Sequence, residues 1–421
     1  MKSFTLPGNF VSGPAAYDPA ANPQLAVLCL SGSLGGLELN SLKFAGWMQE
    51  RGWRVTFFAP PATPLAQWAE EWFIPLETLE VRRGLAMPLL ARQLKAQLER
   101  LNIGVLVVTQ NKDLAVATLV KTLMGGHLRI IYQQHMQLGR PKRSLVHTLR
   151  FRLVDAWLSP LPGLAREVAT KTHFDTARLH VVPLGLPLEQ FAPPTHTPAE
   201  ARHAHDPPQG VRLLGILGRL DDGKGQDFVI DVLHQLRQQP GYDDAHLVIM
   251  GEPTLNEGDD YRHQLERQVA RLGLQHQVHF RPFRPDPAVF YHAIDVFMMA
   301  SENETYGMVT LDALAAGVPV VGAATGGTLE LVQHGQTGLL YLWRDVEAAA
   351  RAVCRTFEHT AATQERVERA RMERWRYSHH RQCALTEDVI RAFMPVATAA
   401  SPTRKARPLA INSIFAKAFA E

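Results

Sequence analysis

The chain has 421 residues, 46% apolar and 20% charged, with three cysteines and a net charge of +3. That length suits two domains of about 200 residues, each able to bury a core, and the composition is ordinary for a globular protein. Cys29, Cys354 and Cys383 show neither metal-ligand spacing nor a disulfide framework, which predicts a reducing, cytoplasmic setting. Residues 1–22 lack the apolar segment of a signal peptide, and the longest apolar runs fall short of a membrane span. The charge is uneven. Residues 1–200 carry 20 Lys and Arg against 14 Asp and Glu, the remainder 24 against 27. A mildly basic front half suits an acidic surface or substrate without demanding nucleic acid.

Leu25–Leu30 reads as a short strand, followed by the Gly-rich turn Ser31–Glu38 and a helical pattern through Leu39, Leu42, Ala45 and Met48. With a second strand at Arg54–Ala59, this opens a Rossmann-like domain, although the glycine spacing is not the dinucleotide fingerprint. The Gly35–Gly36 turn either faces a ligand or packs tightly. Met87, Leu90, Ala91, Leu94, Leu98 and Leu101 predict an amphipathic helix over 86–101. Accompanied by Arg82, Arg83, Arg92 and Lys95, it either covers the sheet or docks on anionic lipid. A strand at Ile103–Thr109, a helix to Met124 and a strand at Arg129–Tyr132 follow. His135 then stands at a strand's carboxyl end, as a ligand contact or a bonded loop histidine. Residues 139–152 hold five basic residues and no acid: Arg140, Lys142, Arg143, Arg150 and Arg152. Interleaved with Leu145, Leu149 and Leu153, they make either a solvated face or a helix that holds an anionic membrane surface. Ala156–Ser159 is another strand, and Pro193 to Gly210 reads as a linker or exposed loop.

The back half opens with the strand Val211–Leu217 and the loop Gly218–Gly225, followed by a helix from Gln226 to Gln238. Gly225 follows Lys224 where a P-loop needs Ser or Thr, so this is not a P-loop. Arg219 as a fork and Lys224 as a point charge can grip a diphosphate without a metal. A strand at His246–Met250, a helix over 258–272 and a strand at Val278–Phe280 lead to Arg281 and Phe283. From Phe297 to Gly322 the chain reads as strand, loop, helix, glycine stop and strand, a βαβ unit. Its strand belongs to the apolar run Ile294 to Ala300, its loop holds Glu302, Glu304 and Gly307, and its helix spans Val309 to Ala316. Gly317 stops the helix before Val318–Val321. The amides near Tyr306, Gly307, Met308 and Val309 then sit at the sheet's carboxyl edge, where the helix dipole favours an anion. Glu304 and Asp312, eight positions apart, can face one ligand. Ala324–Glu330 is a further Gly-rich turn. Asp345 to Phe393 reads as helices anchored by Trp375 and Tyr377, and residues 396–421 as a flexible tail ending in the apolar Ile411–Ala420.

These motifs together resemble the retaining glycosyltransferases of family 4. The resemblance rests on the acid-x7-acid pair Glu304 and Asp312, with Tyr306-Gly307 after the first acid and Gly317-Val-Pro-Val-Val closing. It rests also on Gly218-Arg219-Leu with Lys224-Gly225, on Gly35-Gly36-x-Glu38, on the Val181–Phe191 junction and on Gly326-Gly327-x-x-Glu330. Asp312 departs from the usual Glu, and Leu184 and Pro187 from the usual Asn and Asp. The implied fold is α/β of the GT-B type: two Rossmann-like domains facing across a cleft, with a C-terminal helix crossing back to the first. Residues 1–192 would bind acceptor, 193–210 link, 211–375 bind nucleotide-sugar and 376–395 cross back.

The implied reaction is retaining transfer from an NDP-sugar, UDP being the expected nucleotide, to a hydroxyl of a saccharide or lipid-linked acceptor. The setting would be cell-surface polysaccharide or lipopolysaccharide synthesis at the inner face of the membrane, with no cofactor, no metal and no nucleic acid. The resemblance assigns catalysis to Glu304, Arg219, Lys224 and His135. Donor binding falls to Gly218, Arg219, Lys224, Arg281, Phe283, Glu304, Tyr306, Gly307, Met308, Val309 and Asp312, and an acceptor or phosphate loop to Gly35 and Gly36. Two other readings stay open: another GT-B enzyme such as a sugar-nucleotide epimerase, and a non-catalytic nucleotide-binding member.

Overall fold

The apolar runs of the front half become strands buried on both faces, as a parallel sheet covered by helices requires. In the computed structural model, which describes residues 24–33, 35–81, 87–191, 200–202, 210–253, 260–284 and 287–393, they form a first sheet. Its strands are β1 (Leu25–Leu28), β2 (Val55–Ala59), β3 (Leu76–Thr78), β4 (Val105–Val108), β5 (Arg129–Gln133), β6 (Ala156–Ser159) and β7 (Leu179–Val181). They run parallel in the order β3-β2-β1-β4-β5-β6-β7. Its helices are α1 (Gly36–Glu50), α2 (Pro64–Glu71), α3 (Met87–Arg100), α4 (Leu114–Leu123), α5 (Leu145–Arg152) and α6 (Pro162–Lys171). Along β1 the side chains alternate between two cores, Leu25 and Val27 joining one and Ala26 and Leu28 the other.

The second sheet holds β8 (Arg212–Leu217), β9 (Ala245–Met250), β10 (Val278–Arg281), β11 (Val296–Met299), β12 (Val320–Ala323) and β13 (Leu339–Tyr341). These strands are also parallel, in the order β10-β9-β8-β11-β12-β13. Around them lie α7 (Gln226–Arg237), α8 (Asp260–Arg271), α9 (Pro287–Ala293), α10 (Met308–Ala316), α11 (Gly326–Leu331), α12 (Val346–Glu358) and α13 (Thr360–Glu373), and α14 (His379–Arg391) follows. Strand order reverses between β1 and β4 in one sheet and between β8 and β11 in the other. Such switch points open a crevice at the strands' carboxyl ends, where α/β sheets bind ligands.

The predicted strands form: β1, β2, β4, β8 and β11 are shorter than expected, β5, β9 and β10 are one residue longer, β6 is as expected and β12 is shifted to Val320–Ala323. Cys29, Leu30 and Thr109 leave the sheet to begin loops at that carboxyl edge. β3, β7, α2 and α6 were not anticipated; β3 and β7 are three residues each, too short for a period to register. The 193–210 stretch needs a correction where it is described. Residues 200–202 are helical, and Ala201 is fully buried beside Val289 and Ala293. Arg202 bonds Asp295 Oδ1 at 2.7 Å and the carbonyls of Ala293 and Val211 at 3.0 Å. An arginine stem satisfying carbonyls of the second sheet's shell outweighs a local composition of Pro, His and Ala. Arg82, Arg83, the rest of that stretch and the tail lie outside the described residues.

The last helix does return to the first sheet. Cys383, Val389 and Ile390 on α14 join the core that holds Leu42, Phe44 and Met48 of α1. Glu387 takes a bidentate pair from Arg51, at 2.7 and 2.8 Å, and the Trp53 indole N–H at 2.9 Å. Replacing Glu387 with alanine strands both donors, and is expected to cost about 2 kcal/mol or more. The urea midpoint reads this; an unchanged midpoint would show that the crossing helix is held by packing alone.

Candidate active site

β8 delivers the chain into the loop Gly218–Gly225, which presses against the end of β11. Gly225 has φ +81°, and a Cβ there would sit 2.3 Å from the Ala300 carbonyl oxygen, so only glycine permits the approach. The Glu302 amide then donates to the Gly223 carbonyl at 2.9 Å, clasping the two loops together. This brings Lys224 Nζ to 3.1 Å from Glu304 Oε2. The pair is half-buried, with 32% and 17% of the two side chains exposed, so solutes can reach it.

Glu304 is fixed from its far side as well. Gly326 has φ +48°, and a Cβ there would lie 2.3 Å from the Glu304 carbonyl oxygen. The Gly327 amide donates to that carbonyl at 2.7 Å, and Thr325 Oγ1 donates to the Ser301 carbonyl at 2.9 Å. The second Gly-Gly turn is therefore the backing plate of the acidic loop. Gly307, at φ +98°, then starts α10, whose first intrahelical-type donor is Thr310, bonded to the Gly307 carbonyl. The amides of Met308 and Val309 precede it, where a helix has no internal acceptor to offer.

The other residues expected to bind donor lie on the same loops, on neighbouring strand ends or on α10 of the second sheet. Arg219 shares the Lys224 loop, but its guanidinium pairs with Asp221 Oδ2 at 3.0 Å and is 62% exposed. Gly218, Gly251 and Arg281 form a row along the sheet edge, through Gly218 N–H to Met250 O and Gly251 N–H to Arg281 O, both 3.0 Å. Phe283, half exposed, follows that row. The Tyr306 hydroxyl is spent: it is buried and donates to the Leu184 carbonyl at 2.8 Å, tying the acidic loop to the first domain's exit segment. Asp312 is half-buried inside α10. Burial pushes its carboxyl up to about 7, opposed by the charge of Lys43 on α1. Lys43 in turn is held below the usual lysine range by burial, with Asp312 opposing. The two groups sit on helices of different domains, and each feels the other's charge.

On the first sheet, a Cβ built on Gly36 meets nothing within 4 Å, and one on Gly35 meets only Glu38 Oε2 at 3.2 Å. Tight packing does not demand these glycines; the turn borders open space. Behind it, buried Glu38 accepts from Gln110 Nε2 at 3.2 Å. His135 is buried just beyond β5, and burial pushes its imidazole down to about 4, so it is neutral at physiological pH. Its Nε2 has no partner, nor do Oε1 of Gln110 and Oε1 of Gln133. At the second sheet the same holds for Gln226 Oε1, Thr310 Oγ1 and Thr328 Oγ1. Buried polar atoms normally find partners, so orphans gathered at the two carboxyl edges mark where a polar ligand or water belongs.

Sequence reading missed Gln110, Gln133 and Lys43. Gln110 and Gln133 are signalled only by a polar residue ending an apolar run. Lys43 is signalled by a lone cation among Leu39, Leu42, Ala45 and Met48.

The fold and this edge geometry agree with what is similar to the chain. Residues 34–190 match the family described as Glycosyltransferase Family 4, and residues 199–373 the family described as Glycosyl transferases group 1. The D-inositol 3-phosphate glycosyltransferase of Corynebacterium urealyticum is 34% identical over 180 residues, 42% of each chain. That of Kribbella flavida is 33% identical over 217 residues, 51% of this chain and 50% of the other. The chain thus spans about half the length of the curated relatives it matches. Among solved structures, Anabaena HepE in complex with UDP and glucose superposes with a TM-score of 0.76 at 20% identity, over 88% of this chain and 99% of that one. A Rickettsia africae glycosyltransferase gives 0.80 at 14%, over 89% of this chain and 100% of that one. This is a two-domain α/β protein of the GT-B fold. The chain belongs to the group 1, family 4 type of glycosyltransferases.

Proposed function

We propose that the chain transfers a sugar from a nucleoside diphosphate sugar to a hydroxyl group, with retention at the anomeric carbon. The observation that carries this is the Lys224–Glu304 pair at 3.1 Å, set beside the open amides of α10 at the second sheet's switch point. Without ligand the two charges neutralise each other. A bound donor divides them: Lys224 and the amides take the diphosphate, and Glu304 takes sugar hydroxyls and favours cationic character on the ring. Arg219 swings from Asp221 onto the phosphates, and Asp312 holds ribose. This field of fixed cations and amides does the work that a divalent ion would do on the leaving group.

Neutral His135 faces the donor sugar, and the leaving phosphate accepts the acceptor's proton on the same face. UDP is the favoured nucleotide, supported by its presence in the HepE complex. The test is a thermal-shift panel of UDP-, GDP- and ADP-sugars, followed by transfer assays with the responding donor, using saccharides and inositol phosphate as acceptors. A folded chain that responds to none of the donors contradicts the reading. Product analysis without acceptor separates transfer from epimerisation, and the absence of any turnover would leave a binding-only protein.

We further propose that the acceptor is presented at an anionic lipid surface. On α5, Leu145, Val146 and Leu149 are 73%, 64% and 51% exposed. They lie in the stretch that carries Arg140, Lys142, Arg143, Arg150 and Arg152, a combination suited to acidic headgroups. Among the described residues no helix is long and apolar enough to cross a membrane. Neutralising Arg140, Lys142 and Arg143 together is expected to reduce cosedimentation with anionic vesicles. Unchanged sedimentation would contradict docking through this face.

A further inference from the structure

Among the described residues the chain passes between the two sheets twice, and the two crossings touch. The outgoing segment leaves β7 through Leu186 into a single 3-10 turn, Leu188–Phe191. The returning segment enters α14 at Ser378. They are stitched by the Leu186 amide on the Tyr377 carbonyl at 2.9 Å, the His379 amide on the Leu186 carbonyl at 3.0 Å and the Gly185 amide on Gln382 Oε1 at 2.7 Å. Beside this stitch stand Glu189 from the outgoing segment and His379 and His380 from the returning one. Their ligand atoms all lie within 4.8 Å of one another.

The separations have a specific meaning. His379 Nδ1 is 3.8 Å from Glu189 Oε2, and His380 Nε2 is 3.5 Å from Glu189 Oε1. The Leu186 carbonyl oxygen is 3.4 Å from the same His379 Nδ1. The two separations from Glu189 are too long for charge-assisted hydrogen bonds, which close to about 2.7–2.9 Å, and the long bond to the Leu186 carbonyl is one that the His379 ring gives up when Nδ1 takes an ion. The two ion-pair separations end on the two different oxygens of Glu189, and each is close to the roughly 3.4 Å that divides neighbouring ligand atoms when metal–N and metal–O bonds are about 2.0–2.1 Å. The buried His379 ring is braced by Trp47 at 5.0 Å and by His380 at 3.9 Å between centroids. One ligand is thus pre-positioned, and two exposed ones can adjust. Two imidazoles and a carboxylate are the donor set of Zn²⁺ and its neighbours in the transition series.

We propose that Glu189, His379 and His380 bind a divalent transition-metal ion, with Zn²⁺ as the reference, and that the ion pins the interdomain crossing. Its ligands belong to the two segments that join the sheets rather than to the Gly218–Gly225 loop or the acidic loop, and its role is structural, so the proposal is independent of the sugar-transfer reading. Spacing rules could not find it, because its ligands come from opposite ends of the chain's path through the second domain. The pinning follows from connectivity: one ion would hold Glu189 of the outgoing segment to both histidines of the returning one, stiffening the double crossing between the two sheets.

The test is calorimetric titration of Zn²⁺ into the full chain after chelator dialysis, with thermal unfolding in parallel, for the wild type, H380A and E189Q. Both substituted residues are exposed, so the variants are expected to keep the metal-free melting temperature of the wild type. The wild type should take up one equivalent with a rise in melting temperature. H380A and E189Q should bind at least about tenfold more weakly and lose the rise. A wild type that binds no ion, or variants that bind as tightly, overturns the proposal.

Discussion

Lys224→Ala is expected to lower sugar transfer by about a hundredfold or more, the scale of losing a charge placed where a leaving group develops its own. Stability should hardly change. The ion pair with Glu304 is about one third exposed on the lysine side, and such pairs contribute about 0–1 kcal/mol. A large kinetic loss with a small stability loss is therefore the signature of a group positioned for chemistry. The loop itself should survive the substitution, since the Gly225 contact with Ala300 and the bond between Glu302 and Gly223 hold it without the lysine side chain. Near-normal transfer by a folded Lys224→Ala variant would remove the residue from the mechanism.

Glu304→Ala is expected to cost a comparable factor for a different reason. Its backbone is clamped by the Gly326–Gly327 turn and stays in place, so the loss reports the carboxylate alone. Glu304→Gln keeps hydrogen bonding to sugar hydroxyls but removes the charge. If the carboxylate steadies a ring with cationic character, the glutamine variant should lose turnover more than donor affinity. Equal turnover in the Glu304→Gln variant and the wild type would reduce the residue to a hydroxyl binder. Because Lys224 and Glu304 touch, the double variant should lose less than the product of the two single losses.

The architecture was legible because buried parallel strands announce themselves as unbroken apolar runs. Val105–Val108 and Val296–Met299 contain no polar residue at all. The Lys224 and Glu304 loops were legible for a related reason: glycine and charge crowd together directly after such runs. Three-residue strands carry too few positions for a period, so β3 and β7 stayed hidden. The docking of residues 200–202 depends on carbonyls 9 and 91 positions away from Arg202, which no local pattern encodes. Side-chain partners were the least accessible layer. Tyr306 reads in sequence through its backbone amide, and nothing local announces that its hydroxyl is committed to Leu184. Arg219 reads as a phosphate clamp, and its ligand-free pairing with Asp221 is a detail that only the structure adds. The Tyr306 partner turns on the position of the facing domain and the Arg219 partner on a rotamer, neither of which a local pattern specifies.

The most direct measurement is the calorimetric affinity of UDP and of uridine for the wild type and for Lys224→Ala. The account expects the wild type to bind UDP well above uridine, and the alanine variant to bring UDP down towards the nucleoside's level. A variant that binds UDP as tightly as the wild type would contradict it, because the diphosphate would then be held somewhere other than at the lysine and the opening turn of α10.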